Sequence, residues 1–285
     1  MPNVLDIRRR IRSVKNTQQI TKAMKMVSAA KLRRAHERVV SARPYANKIL
    51  SVLNSLVTRS EGQPHPLLEE RPQERIRLVV ITADKGLCGA FNSNIIKAAQ
   101  NFIAENQLEQ LTLDCVGRKA WEFFRKRPVV LVHQFINVFA KLDYSHAKQI
   151  SKPLMEEFAK RELDVVYLVY AEFKSAIQQR IVVEQLLPIR RLSTASNETL
   201  IDYIYEQPAG ELFNSLIPRH VEVQVYRALL ESAAAEHGAR MTAMDAATTN
   251  AVELIDSLTL TMNRIRQAGI TKEIIEIVGG AAALG

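Results

Sequence analysis

The sequence predicts an α/β fold in two parts: a long antiparallel coiled coil of N- and C-terminal helices, and a Rossmann-like α/β globular domain between them. Three observations predict it. Residues 3–59 contain no glycine and one proline, Pro44. From Pro218 to Gly269 only Gly238 interrupts the run. Between these blocks short β-rich runs alternate with helix-compatible stretches, the pattern of a mostly parallel sheet with helices on its faces. The boundaries are 1–59 for the N-terminal coiled-coil helix, 75–207 for the globular domain and 208–285 for the C-terminal coiled-coil helix.

In the first block Asn3 is a fitting N-cap. Ile7, Ile11 and Val14 step by four and three, and Ile20, Met24 and Val27 do nearly the same, which is helical periodicity. At ~1.5 Å per residue, residues 3–43 make a rod of about 60 Å. Residues 60–74, rich in proline, glycine and charge, form a linker. The strand candidates are Ile76–Thr82, Leu111–Val116, Val129–His133, Val165–Tyr170 and Ile181–Leu187. The helix candidates among them are Asn94–Glu105, Lys119–Lys126 and Tyr144–Arg161.

In the last block Pro218 suits a helix start. Ala251, Ile255, Leu258, Met262 and Ile265 step four, three, four, three, the seam a coiled coil needs. Its rod is about 75 Å long. A domain of ~140 residues has a radius of gyration of only ~14 Å. Rods of that length outrun it, and they cover their apolar seams most simply against each other.

Composition is that of an ordinary globular chain, with 47% hydrophobic and 24% charged residues. The net charge of +9 is concentrated at one end. Residues 1–40 hold 11 Lys and Arg against Asp6 and Glu37, while the remaining 245 residues carry 28 of each sign. A positive block of this kind implies an acidic partner. No run approaches ~18 uninterrupted apolar residues, so no membrane span is expected. Cys88 and Cys115 are too isolated for a metal site or a disulfide framework. The six histidines (His36, His65, His133, His146, His220, His237) lack metal-ligand spacing, and no metal or cofactor is expected.

Asp84-Lys85-Gly86-Leu87-Cys88-Gly89 follows the first strand. A phosphate loop is one reading, but the spacing is neither GxxxxGK[ST] nor GxGxxG, and a tight strand-to-helix turn is favoured. The basic segment spanning Arg8, Arg9, Arg10, Arg12 and Lys15 to Arg38 has the charge density for nucleic acid. It lacks the aromatic residues that stack on bases or anchor a membrane-surface helix. Two further readings are a solvated face and an acidic protein ring around the rod. The C-terminal stretch from Ile274 to Gly285 is apolar and small, which fits a tip held in an apolar sleeve made by another chain.

Several segments resemble one family. They are Ile20–Val27 (ITKAMKMV), Arg43-Pro44-Tyr45, Asp84–Gly89 (DKGLCG), Tyr203–Glu206 (YIYE), Ala239–Met244 (ARMTAM), Ala247–Ala251 (ATTNA) and Asn263–Ile274 (NRIRQAGITKEI). In this order they resemble the γ subunit of bacterial F-type ATP synthases. The resemblance implies a coiled coil inside a hexamer of alternating α and β subunits. It implies a globular foot that rests, with the ε subunit, on the membrane ring of c subunits. Proton flow turns the ring and the shaft, and the shaft drives the β catalytic sites through their conformations for ATP synthesis or hydrolysis. The chain itself is then no enzyme, touches the membrane only through the c ring, and sits at the cytoplasmic face of the bacterial inner membrane.

By motif match, Met24, Lys25, Arg240, Arg266, Gln267 and Thr271 are the expected β-subunit contacts, and Tyr205 and Glu206 the expected c-ring contacts. Lys85 stands where family members often carry Arg. The chloroplast regulatory insert is absent. The alternatives are a nucleic-acid-binding protein acting through the basic helix, and a nucleotide-using enzyme of the doubly wound class.

Overall fold

Fifty-six residues free of glycine form one helix, α1 (Val4–Arg59), which runs through Pro44. The computed structural model describes residues 4–59, 65–106, 111–189 and 209–284. After a short 3-10 turn at Pro66–Leu68 come β1 (Ile76–Ile81), α2 (Phe91–Asn106), β2 (Leu111–Val116), α3 (Arg118–Phe124) and β3 (Val130–Phe135). A second 3-10 turn at Val138–Ala140 precedes α4 (Tyr144–Ala159), β4 (Val165–Phe173), β5 (Gln179–Leu187) and α5 (Ala209–Leu284).

The five strands form one sheet in the order β3-β2-β1-β4-β5. β1 pairs in parallel with β2 and β4, and β2 with β3, while β5 runs antiparallel to β4. The 3-2-1-4 order is the core of a Rossmann-like sheet. Every residue of β1 is buried, as expected of a central parallel strand covered on both faces. The edge strand β3 alternates exposed with half-buried residues. α2 turns Phe91, Ile95, Ile96 and Ala99 inward, and α4 turns Ala147, Ile150, Ser151, Leu154 and Phe158 inward, each a stripe at helical spacing. α4 begins with a reciprocal cap between Asp143 and His146.

One charged network lies inside this core. Arg77 of β1 is buried, and its guanidinium meets Asp114 of β2 at 3.1 Å and Glu157 of α4 at 2.7 Å. Its Nε donates to Thr112 Oγ1 at 2.8 Å. Asp114 Oδ1 also accepts from the His133 backbone N–H at 3.0 Å.

The chain divides into two compact units. The first comprises residues 1–28 and 241–285, and the second residues 29–240. The sheet and its helices belong to the second, with one stretch each of α1 and α5. Gly238 of α5 allows close packing there: a Cβ at this position would lie 3.2 Å from Ala176 O, in the turn between β4 and β5. In the first unit the helices pair antiparallel, since Thr21 meets Thr248 at 2.8 Å and Lys25 meets Asp245 at 2.5 Å.

Two expectations need correction. The covered face of α1 in the first unit carries Ile7, Ile11, Val14, Gln18, Thr21, Lys25 and Ser28. Ile20 and Val27 lie on the other face, 59% and 55% exposed in this chain. Steps of four and three hold throughout the true seam, but four of these seven residues are polar. Secondly, Pro218 lies inside α5 and does not open it. Beyond it α5 passes Gly269 and continues to Leu284, because a helical glycine costs only about 1 kcal/mol. The seam of α5 lies where the spacing put it: Ala251 is buried, and Ile255, Leu258, Met262 and Ile265 are half-buried.

Candidate functional site

The candidate residues fall on three places. The first is the helix pair of unit one. Thr21 is buried at the seam, and its hydroxyl lies 3.0 Å from Gln18 O as well as beside Thr248. Thr248 Oγ1 lies 2.7 Å from Met244 O. Small hydroxyl residues bring the two backbones close at this level. Met24 and Lys25 are both half-buried here. The Lys25–Asp245 ion pair keeps 41% and 55% of its side chains exposed, so it is a weak, salt-screened contact. Replacing Thr21 and Thr248 together by Val, which removes both hydroxyls and keeps their shape, is expected to change stability by less than about 1 kcal/mol in urea unfolding.

The second place lies about 30 Å further along α5, at 1.5 Å per residue. Arg266, Gln267 and Thr271 are exposed there, and Thr271 Oγ1 donates to Gln267 O at 3.0 Å. From Arg266 to Ala281 every residue is exposed. That stretch includes Ile270, Ile274, Ile275, Ile277 and Val278, each more than half exposed. Such an apolar surface is normally covered by a partner.

The third place is in unit two, where Arg240 is 12% exposed. Its Nη2 meets Glu236 Oε1 at 2.7 Å and donates to Gly86 O at 3.2 Å. Arg240 thus joins α5 to the turn after β1. Leu87 and Gly89 of that turn take positive φ values of 61° and 56°. Asp84 Oδ1 accepts from the backbone N–H groups of Arg118 and Asn137 at 3.1 and 2.8 Å. The Asp84 carboxylate thus ties the turn after β1 to the segments that follow β2 and β3. Cys88 is buried, and burial pushes its thiol pKa up.

Burial pushes the pKa of His237 down to about 4, with Arg240 and Lys31 adding to it. His220 is likewise held at about 4, by burial first and Arg227 next. Both are neutral when folded and titrate near 6.5 when unfolded. Their contribution is fully present above pH 6.5 and is lost as pH falls toward 4, by about 2 kcal/mol per histidine at pH 5. Glu231 and Glu236, raised by burial, act in the opposite sense as pH rises above 4.5. Urea unfolding is therefore expected to show lower stability at pH 5 than at pH 7.5. His220→Gln with His237→Gln is expected to flatten that slope, and an unchanged slope would remove these histidines from the account.

Tyr205 and Glu206 lie outside the described residues. Asp245, Thr248 and Glu236 were missed by sequence reasoning. Of these only Glu236 left a signal, its spacing of four from Arg240 on a helix. Among the described residues no group of three or more His, Cys, Asp or Glu is arranged to hold a metal ion, and no helix is long and apolar enough to cross a membrane.

A profile of the family described as ATP synthase matches residues 3–284. An ATP synthase gamma chain of Solibacter usitatus is 54% identical over 99% of both chains. The chain belongs to the ATP synthase gamma-chain family. Another gamma chain, from Geobacter metallireducens, is 50% identical over 100% of this chain and 99% of its own. Among solved structures, a chain from the central stalk and c-ring of the Tetrahymena thermophila mitochondrial ATP synthase superposes with a TM-score of 0.63 at 28% identity, covering 80% of this chain and 99% of that one. A chain of the Euglena gracilis mitochondrial synthase, at 21% identity, shares the fold with a TM-score of 0.68 over 99% and 94% of the two chains. Paired terminal helices and a mainly parallel sheet are thus the gamma-chain fold. The nucleic-acid reading of the basic helix gains no support from these relatives.

Proposed function

We propose that the chain is the turning central stalk of a bacterial F-type ATP synthase, coupling proton-driven rotation of the c ring to the conformational cycle of the β catalytic sites. The observation that carries this is the gamma-chain likeness over the full length, at 54% identity. The partners are the α and β subunits of the hexamer, the ε subunit and the c ring. The chain supplies no catalytic group of its own. It works at the cytoplasmic face of the inner membrane, attached through the c ring.

A shaft of this kind acts by differential contact: it must stabilise different β conformations at different angles. Contacts that are individually weak serve this best, because one tight lock would stall rotation. Lys25, Arg266, Gln267 and Thr271 suit the role of β contacts, being charged or polar and half to fully exposed, with Met24 beside Lys25. Arg240 is assigned to the same set by its motif, and its guanidinium carries the contact to the turn at Gly86. Tyr205 and Glu206 are assigned to the c ring by motif alone. The bare apolar end of α5 suits a sleeve formed by the hexamer.

Reconstitution tests the proposal. Purified α and β subunits are mixed with and without the chain, and assembly size and ATP hydrolysis are measured. One copy per hexamer with steady turnover supports the stalk role. Failure to assemble with matched partners and to alter turnover contradicts it. Arg266→Ala with Gln267→Ala is expected to weaken coupling or assembly while leaving the isolated fold intact, since both side chains are exposed. Unchanged coupling would overturn their assignment.

A further inference from the structure

Two adjoining clefts in the second unit have no part in the reading above. One, of about 750 Å³, is bordered by Lys31, Arg34, Arg38 and Lys141. Its acidic neighbour Glu37 pairs with Arg33 at 3.2 Å. Among the described residues Lys31, Arg34 and Lys141 form no ion pair, and Glu236, a carboxylate that feels the Lys31 charge, is held by Arg240 at 2.7 Å. The cleft therefore concentrates uncompensated positive charge, the condition that attracts an anion.

The other cleft, of about 360 Å³, shares Arg38 and Ser41 with the first and is lined by Tyr45, Tyr144 and Tyr226. The rings of Tyr144 and Tyr226 meet edge to face, with centroids 5.4 Å apart. Tyr144 is anchored by its hydroxyl, which donates to Glu222 at 2.7 Å. Arg38 is fixed at the junction by donating to Leu142 O at 3.1 Å. Aromatic faces accept any base by stacking, and the two volumes lie in the range of small-molecule sites.

We propose that this pair of clefts binds a nucleoside triphosphate, with the base among the three tyrosines and the phosphates among Lys31, Arg34 and Lys141, and Arg38 between them. An aromatic slot joined to a basic cleft matches the two halves of a nucleotide. An acidic peptide would use the basic half and leave the tyrosine slot without a role.

Calorimetry on the full chain alone, at low salt, tests this with ATP and with inorganic tripolyphosphate. ATP is expected to bind at least fivefold more tightly than tripolyphosphate, the share due to the base. Arg34→Ala with Lys141→Ala, both exposed positions, is expected to weaken ATP at least tenfold. Tyr45→Ala, at a residue 48% exposed, is expected to narrow the gap between ATP and tripolyphosphate. Circular dichroism confirms that each variant is folded. Absence of ATP binding at millimolar concentration would overturn the proposal. So would equal affinity for the two ligands, which marks a site for phosphate alone, or unchanged binding in the double variant.

Discussion

Gly117→Ala is expected to destabilise the sheet-bearing unit by about 4 kcal/mol or more, lowering its melting temperature by about 10 °C. Gly117 follows β2 and has a φ of 90°, which side chains with a Cβ rarely adopt. A Cβ there would lie 2.0 Å from Thr82 O and 2.7 Å from its carbonyl carbon. Thr82 cannot retreat. Its N–H donates to Val116 O at 2.8 Å, and its Oγ1 accepts from the Ala120 N–H at 2.8 Å. Moving it would break the link from β1 to both β2 and α3. Gly86→Ala is the matched control, because nothing lies within 4 Å of its Cβ position, and it is expected to cost less than about 1 kcal/mol. Equal melting temperatures for the two variants would show that the turn after β2 is not packed as described.

Arg77→Leu is expected to cost about 3–5 kcal/mol, because removing one partner leaves a buried charge uncompensated. Asp114 is fully buried. In the variant it keeps only its bonds to the His133 backbone and ring, at 3.0 and 3.1 Å. Replacing Arg77 and Asp114 together by Leu is expected to recover much of the loss, since apolar pairs often match buried ion pairs in stability. Urea unfolding of the two variants measures both effects. A loss below 1 kcal/mol in Arg77→Leu would mean the network contributes little to the core.

How much of this was legible in the sequence differs by element. The strands could be placed because parallel strands buried on both faces read as continuous apolar runs, and Leu78–Ile81 is such a run. Arg77 at its head gave no sign of burial, since its partners Asp114 and Glu157 are remote in sequence. The antiparallel direction of β5 was equally hidden, because strand direction depends on the connection and not on composition. In α5 the apolar residues and the seam coincide, so spacing alone found Ala251 to Ile265. In α1 they do not. Gln18, Thr21, Lys25 and Ser28 occupy seam positions, and hydrophobicity pointed instead to Ile20 and Val27. Of the candidate site, the positions Met24, Lys25, Arg240, Arg266, Gln267 and Thr271 came from motif resemblance. Physical pattern added the charge excess of residues 1–40 and the apolar end of α5. The partners that the structure gives Lys25 and Arg240, Asp245 and Glu236, required the fold itself.

The central claim is that this chain turns inside its hexamer. Its most direct test fixes a reconstituted complex of α, β and this chain to a surface through the β subunits, with a gold rod attached to the sheet-bearing unit of the chain. On addition of ATP the account predicts stepwise rotation in one direction, at a rate that rises with ATP concentration until it saturates. ATP hydrolysis at full rate by complexes whose rods stay still would contradict it.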